Sequence, residues 1–427
     1  MKIIGIVLFI LFGFGAIAQS YTSYITGDEG DVEVQPVPGI VLMGGAGEQD
    51  DAMKWFLERV NGGDVLVIRA SGSDGYNDYL FSDLGVQVNS VETIVWNSAE
   101  ASEDPYVLQQ LANAEGIWMA GGDQWDYVSY WRDNEVEDLI NNLLNVIGGP
   151  VGGISAGMAV LGGNYFTAQY GTVYSDESLA NPYNNWLHYG HNDFLAANYL
   201  ENVITDTHYD DPDRRGRHVT FMARMHTDFG THPLGIACDE YAAVCIDADG
   251  IAWCFGEFPD YDDYIYFLRP NCEEPIGPED CSLGNPLEWN RNHAAIKCCR
   301  FGGTVEGDNY FDLKDWLTSN GGEWQTWYVE NGSLEIIEDG QEPDCALGIL
   351  NREFEVLNVY PSPASDQFRI DSPTSDVLQI VDASGRLTRE ITLAPGTTTI
   401  SCSDWSSGYY LLSLKKSGAS GKITVKD

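Results

Sequence analysis

Gly152-Gly153-Ile154-Ser155-Ala156-Gly157 is the stretch on which the reading of this chain turns. An apolar run, Val151 to Ile154, leads straight into Ser155, and small residues follow it into a helical start. A nucleophilic serine raised on a strand-to-helix turn needs this arrangement, because the turn is too tight for side chains beside it. The hydroxyl then stands in a crevice, and the N–H of Ala156 faces a developing oxyanion. Glycine-rich turns also serve packing alone, so the surroundings must decide.

Upstream, strand and helix signals alternate. Gly39 to Met43 is a short apolar run ending at Gly44-Gly45. Met53, Phe56, Leu57 and Val60 then mark an i, i+3, i+4, i+7 helix face. Asp64 to Ala70, Val91 to Trp96 and Gly116 to Ala120 read as strands, and Tyr106 to Ala114 and Val136 to Leu144 as helices. Such alternation predicts a mostly parallel sheet with helices on both faces. Ligands then bind beyond the carboxyl ends of the strands, where Gly44-Gly45, Gly121-Gly122 and Gly152-Gly153 fall.

Downstream, strands are expected at Val203 to Asp206, Gly235 to Asp239, Ala242 to Ile246 and Ile251 to Phe255, with an Asp249-Gly250 hairpin turn. A serine hydroxyl needs a base. Of the seven His, His208 follows a strand end and is expected on the same sheet edge as Ser155. An acid must hold the imidazole tautomer. Asp206, Asp239 and Glu240 all end strands, and the residues alone do not choose among them.

These pieces resemble the cyanophycinase and peptidase E family of serine peptidases from about Gly39 to Phe255. The carriers are GGAGE at Gly44 to Glu48, GGDQ at Gly121 to Gln124 and GGISAGM at Gly152 to Met158. ITDTHYDDPDRRGRHV at Ile204 to Val219 and LGIACDEYAAV at Leu234 to Val244 complete the set. The resemblance implies a sheet like that of class I glutamine amidotransferases. It implies Ser155 as nucleophile, His208 as base, Glu240 as the orienting acid and a second oxyanion N–H at Gly122. Gln124, Asp206, Arg214 and Arg217 are expected to contact substrate. Pro212 stands where the family carries the first of three arginines, so a carboxylate clamp is lost or moved to Arg215. The aromatic insert around Tyr183 to Tyr189 also lengthens the spacer between Ser155 and His208. A peptide or a β-linked aspartyl polymer is the implied substrate, and no metal or organic cofactor is required. The alternatives are another amidase or esterase on the same fold, and a non-catalytic binding protein.

The net charge is −43. No basic stripe exists to displace counterions, which argues against nucleic-acid binding. Residues 1–18 read as a cleaved signal: Lys2, the apolar run Ile3 to Phe14, then Ala16-Ile17-Ala18. Eight of the nine Cys fall between Cys238 and Cys345, and an exported chain permits disulfides among them. Residues 19–256 are expected to form the catalytic domain and 257–345 a Cys-rich extension of it. Beyond an acidic linker, residues 355–427 show short alternating runs that predict a small all-β sandwich. Val359-Tyr360-Pro361-Ser362-Pro363-Ala364, Val381 to Arg386, Gly408 to Leu411 and Lys422 to Val425 resemble the sorting domains of the type IX secretion system. That resemblance implies handling by the type IX machinery and a secreted or cell-surface product. A homodimer is compatible with the reading.

Overall fold

The structure, a computed structural model, describes residues 19–426 apart from 273, 344, 346–356, 358, 373–374, 383–385 and 416–419. The signal expected at residues 1–18 lies outside the described residues, as do residue 344 and residues 383–385 within the Val381 to Arg386 run. The chain divides into two compact units, Met1–Cys345 and Ala346–Asp427.

The first unit is α/β and holds two large sheets. One runs, edge to edge, Tyr21–Gly27, Ser90–Trp96, Asp64–Arg69, Gly116–Met119, Pro150–Ile154, Gly39–Met43, Ala243–Asp247, Ile251–Phe255, Asn309–Asp312 and Ser319–Asn320. The five strands from Ser90–Trp96 to Gly39–Met43 are mutually parallel, so their carboxyl ends form one rim. Every other pairing in this sheet is antiparallel. The expected mostly parallel sheet is therefore corrected to a mixed one. Buried strands read as continuous apolar runs in either direction, and nothing in such a run states its polarity.

The second sheet runs Ser333–Ile337, Gly322–Glu330, Ile296–Gly302, Tyr264–Pro270, Leu234–Cys238, Val203–Asp206, Asn164–Phe166 and Tyr189–His191. Leu234–Cys238, Val203–Asp206 and Asn164–Phe166 are parallel. The strand before His208 thus belongs to a different sheet from the strand before Ser155, which corrects the expectation of a shared sheet edge. One core joins the two sheets, drawing Ile40, Leu42 and Ile68 from the first and Ile236, Ile265 and Phe267 from the second. The extension is no appendage: it supplies outer strands to both sheets.

Local chemistry explains the helix Asp50–Val60. Gln49 Oε1 accepts the Ala52 N–H at 2.7 Å, Asp50 and Asp51 occupy the first turn, and Arg59 the last. Its apolar face buries Met53, Phe56, Leu57 and Val60 under the first sheet. The helices Pro105–Asn113 and Glu135–Asn142 bury Val107, Leu111, Val136 and Ile140 in the core on the other face.

A disulfide joins Cys272 to Cys345. Seven other cysteines are buried free thiols. Cys298 and Cys299 follow one another on a strand and enter separate cores, as successive residues of a strand must.

The second unit sets a three-stranded sheet, Val359–Tyr360, Gln367–Ser372 and Gly396–Ser401, beside a four-stranded one. The latter runs Leu387–Leu393, Asp376–Asp382, Gly408–Leu414 and Ser420–Val425. Phe368, Ile370, Leu378, Ile380, Leu412 and Ile423 share one core between them.

Candidate active site

Ser155 leaves the strand Pro150–Ile154 with φ 53° and ψ −110°, a conformation that L-residues other than glycine seldom adopt and that costs about 1–3 kcal/mol. Two glycines make the turn possible. A Cβ on Gly153 would come within 2.5 Å of the Gly157 backbone, and one on Gly157 within 2.1 Å of the Met119 carbonyl. The Ser155 N–H donates to Met43 O at 3.0 Å, which ties the turn to the neighbouring strand.

Ser155 Oγ lies 2.9 Å from His208 Nε2. His208 Nδ1 lies 2.6 Å from Glu240 Oε1. Both the imidazole and the carboxylate are about a quarter exposed, at 24% and 27%, so the relay is open to solvent on one side. The two sheets meet here through Gly44-Gly45. The His208 N–H donates to Gly44 O, Gly44 N–H to Ala242 O, and Tyr241 N–H to Gly45 O. Glu240 presents its own N–H to Asp210 Oδ1 at 3.1 Å. Of the three acids left open by the sequence, Glu240 makes the contact with His208, whereas Asp206 pairs with Arg217 and Asp239 accepts from Tyr264 and Tyr266.

Asp239 is buried beside Glu240. Its Oδ2 accepts from the Tyr264 N–H and the Tyr266 hydroxyl, at 3.3 and 3.4 Å, and its Oδ1 has no partner. Burial, with the nearby Asp210 carboxylate, pushes its carboxyl up to about 8.

The expected substrate contacts divide. Asp206 and Arg217 form an internal ion pair, with side chains 3% and 5% exposed. Arg217 Nε donates to Asp206 Oδ2 at 2.9 Å, and Nη1 reaches Thr172 Oγ1 and Val173 O. Their assignment as substrate contacts is corrected: both are closed inside the protein. Arg215, the expected replacement clamp, is held by both oxygens of Asp213. Arg214 differs. It caps the helix Arg215–Phe229, is half-buried, and donates Nη1 to Thr207 O at 2.9 Å. No ion pair is recorded for it among the described residues, and Glu240 and Asp206 lie within electrostatic reach. Gln124, at the start of the helix Gln124–Trp131, is half-buried and donates Nε2 to Phe166 O at 3.3 Å.

Gly121 passes close to Ser155, since a Cβ there would stand 3.8 Å from Ser155 Cβ. Gly122 is exposed at the same rim. Tyr127, which the sequence reading passed over, reaches back to this loop: its hydroxyl lies 2.8 Å from Ala120 O and 3.2 Å from Gly121 O. The signal available was its place on the helix directly after the glycine loop. An acidic cleft of about 260 Å³, lined in part by Asp28, Asp31, Asp64 and Glu92, opens at the opposite, amino ends of the parallel strands.

A serine on a strained strand-to-helix turn, backed by an imidazole and a carboxylate, is what the two sheets bring together here, and comparison with known proteins shows what the chain is similar to. Residues 42–253 match peptidase family S51, and residues 358–426 match the secretion system C-terminal sorting domain. The resemblances read from the motifs are thereby borne out. The chain is 25% identical over 226 residues to the cyanophycinase of Synechococcus elongatus, covering 49% of this chain and 63% of the relative. It thus spans less than two thirds of that relative's length. Among solved structures, a peptidase from an acI-B1 Actinobacterium aligns at TM-score 0.38 and 16% identity, over 52% of this chain and 89% of that one. A putative peptidase E protein from Listeria monocytogenes EGD-e aligns at 0.34 and 15%, over 52% and 99%. The sorting domain marks the chain for export to the cell surface or beyond.

Proposed function

We propose that the protein is an exported serine-type hydrolase that cleaves peptide or isopeptide bonds through an acyl-enzyme. The carrying observation is the continuous relay from Ser155 through His208 to Glu240 at a strained turn. Glu240 accepts the Nδ1 proton, which leaves the Nε2 lone pair facing the hydroxyl. Ser155 Oγ attacks the amide carbonyl carbon while its proton passes to Nε2. The oxyanion is met by the N–H groups of Ala156 and Gly122, each worth about 3–4 kcal/mol in comparable sites. His208 then gives its proton to the leaving amine. Water, deprotonated by the same nitrogen, resolves the ester and restores Ser155.

Arg214 is the cation left to read an acidic group on the substrate. With Arg217 sealed, Arg215 paired and Pro212 in place of an arginine, one guanidinium suits a peptide with a single acidic feature better than a polymer read by several. Gln124, which starts the helix after the Gly121-Gly122 loop, is the second side chain this reading assigns to the substrate. In this reading residues 19–256 and the extension 257–345 together form the catalytic part, related in its sheet to class I glutamine amidotransferases, and 355–427 the part read by the type IX machinery.

A panel of acidic peptides, β-aspartyl peptides and simple esters, offered to the wild type and to Ser155→Ala, tests the proposal. Cleavage of an acidic peptide or isopeptide by the wild type alone supports it. Hydrolysis that survives in Ser155→Ala at wild-type rate removes it.

A further inference from the structure

We propose that Tyr127 is the positioning residue of the oxyanion site: its hydroxyl pins the Gly121–Gly122 peptide so that the Gly122 N–H faces the reacting carbonyl. The inference rests on the hydrolase reading above and adds a residue that touches neither substrate nor Ser155.

The Gly121–Gly122 bond is not among the cis peptides. In a trans peptide the C=O and the next N–H point in opposite directions across one rigid plane. Holding the Gly121 oxygen on one side therefore fixes the direction of the Gly122 N–H on the other. Tyr127 is fully buried and its ring stacks on Trp131 at 4.3 Å, so the phenol itself cannot wander. Its oxygen lies between the Ala120 and Gly121 carbonyls. Both partners are acceptors, so the hydroxyl proton is shared between them and restrains two consecutive peptide planes. A side chain at Gly122 would stand 3.0 Å from that same oxygen.

The need for such a pin follows from the loop. Two consecutive glycines leave the peptide between them free to flip. A flip would turn a carbonyl oxygen toward the oxyanion and replace attraction by repulsion. Asp123 secures the far side of the loop by accepting the Trp125 N–H at 2.9 Å, which starts the helix carrying Tyr127. The glycines, the cap and the phenol are thus consecutive parts of one device, Gly121 to Tyr127.

The test is Tyr127→Phe, which keeps the stacked ring and removes only the hydroxyl. On the best substrate of the panel, kcat should fall by up to roughly 10²–10³, the loss of one oxyanion donor, with KM within about twofold. Affinity for a peptidyl trifluoromethyl ketone, whose hemiketal oxygen occupies the oxyanion site, should fall by the same factor. Binding of the uncleaved peptide to Ser155→Ala/Tyr127→Phe should equal binding to Ser155→Ala. A kcat and ketone affinity unchanged in a folded Tyr127→Phe would overturn the inference and leave the hydrolase reading standing. Should the phenylalanine variant lose its fold, Tyr127→3-fluorotyrosine incorporation, which strengthens the donor, must still shift the ketone affinity; no shift overturns the inference equally. An inactive wild type that also fails to take up the ketone would overturn both.

Discussion

The Cα of Gly45 lies directly against the His208 imidazole: a Cβ built there would come within 2.3 Å of Cε1 and 2.4 Å of Nε2. The backbone at Gly45 has φ 140°, so a side chain is excluded by conformation as well as by space. Gly45→Ala should displace the ring and lower kcat by about a hundredfold or more while far-ultraviolet circular dichroism stays unchanged. Activity within a few-fold of wild type would mean that His208 tolerates displacement and is not the base.

Glu240→Gln keeps the shape of the acid but presents either an N–H or a weaker acceptor to Nδ1. The wrong tautomer then faces Ser155, and kcat should drop by roughly 10²–10⁴. Asp206→Asn, by contrast, should act through folding. Steady-state kinetics on both variants separate the orienting acid from the buried one.

Arg217 and Arg214 should respond in opposite ways. Removing Arg217 leaves Asp206 charged and buried, which costs about 3–5 kcal/mol, so Arg217→Met should lower Tm sharply. Arg214→Gln should leave Tm nearly unchanged and raise KM for acidic peptides only. Burial works to raise the Asp206 carboxyl, but the Arg217 guanidinium outweighs it and holds the group below its usual range. The pair's contribution is therefore complete above about pH 4, the ordinary aspartate value, and is lost as pH falls through the lower folded value. Acid unfolding of wild type and Arg217→Met, followed by fluorescence, checks the sign.

Asp239 should give a pH dependence of the opposite sense. With its carboxyl pushed up to about 8, the folded protein holds a proton that the unfolded chain has released. The contribution of Asp239 to stability is then most favourable below about pH 4 and declines between about pH 4 and pH 8. Asp239→Asn should flatten that decline and melt higher than wild type at pH 8. Melting curves from pH 5 to 9 decide; parallel wild-type and variant profiles would show that Asp239 is already ionised.

The Cys272–Cys345 bridge closes a separation of 73 residues, worth roughly 4 kcal/mol in the chain-entropy account. Reduction, or Cys272→Ser/Cys345→Ser, should lower the Tm of the first unit by several degrees and leave hydrolysis at 25 °C near wild type. Calorimetry with and without reductant measures it.

The parallel strands and their carboxyl-end glycines were legible because each buried strand is a short apolar run ending at a turn. Ser155 was legible for the same reason. What escaped has physical causes. The strands Tyr264–Pro270 and Ile296–Gly302 are covered on both faces, so they lack the alternation that marks a half-exposed strand. The helix Arg215–Phe229 buries Arg217 and His218, and polar residues on the inner face hide its period. Sheet membership is settled by pairing, which no single strand encodes, and so Val203–Asp206 was placed in the wrong sheet. Arg217 was expected to contact substrate because it matches one of the family's three arginine positions; only the fold reveals Asp206 beneath it.

The most direct test of the central claim is the intact mass of the protein after exposure to a fluorophosphonate, with the adduct located by peptide mapping. A hydroxyl activated by His208 should yield one adduct, on Ser155, formed much more slowly in His208→Ala and absent in Ser155→Ala. No adduct on the folded wild type, or equal labelling of Ser155→Ala, would contradict the account.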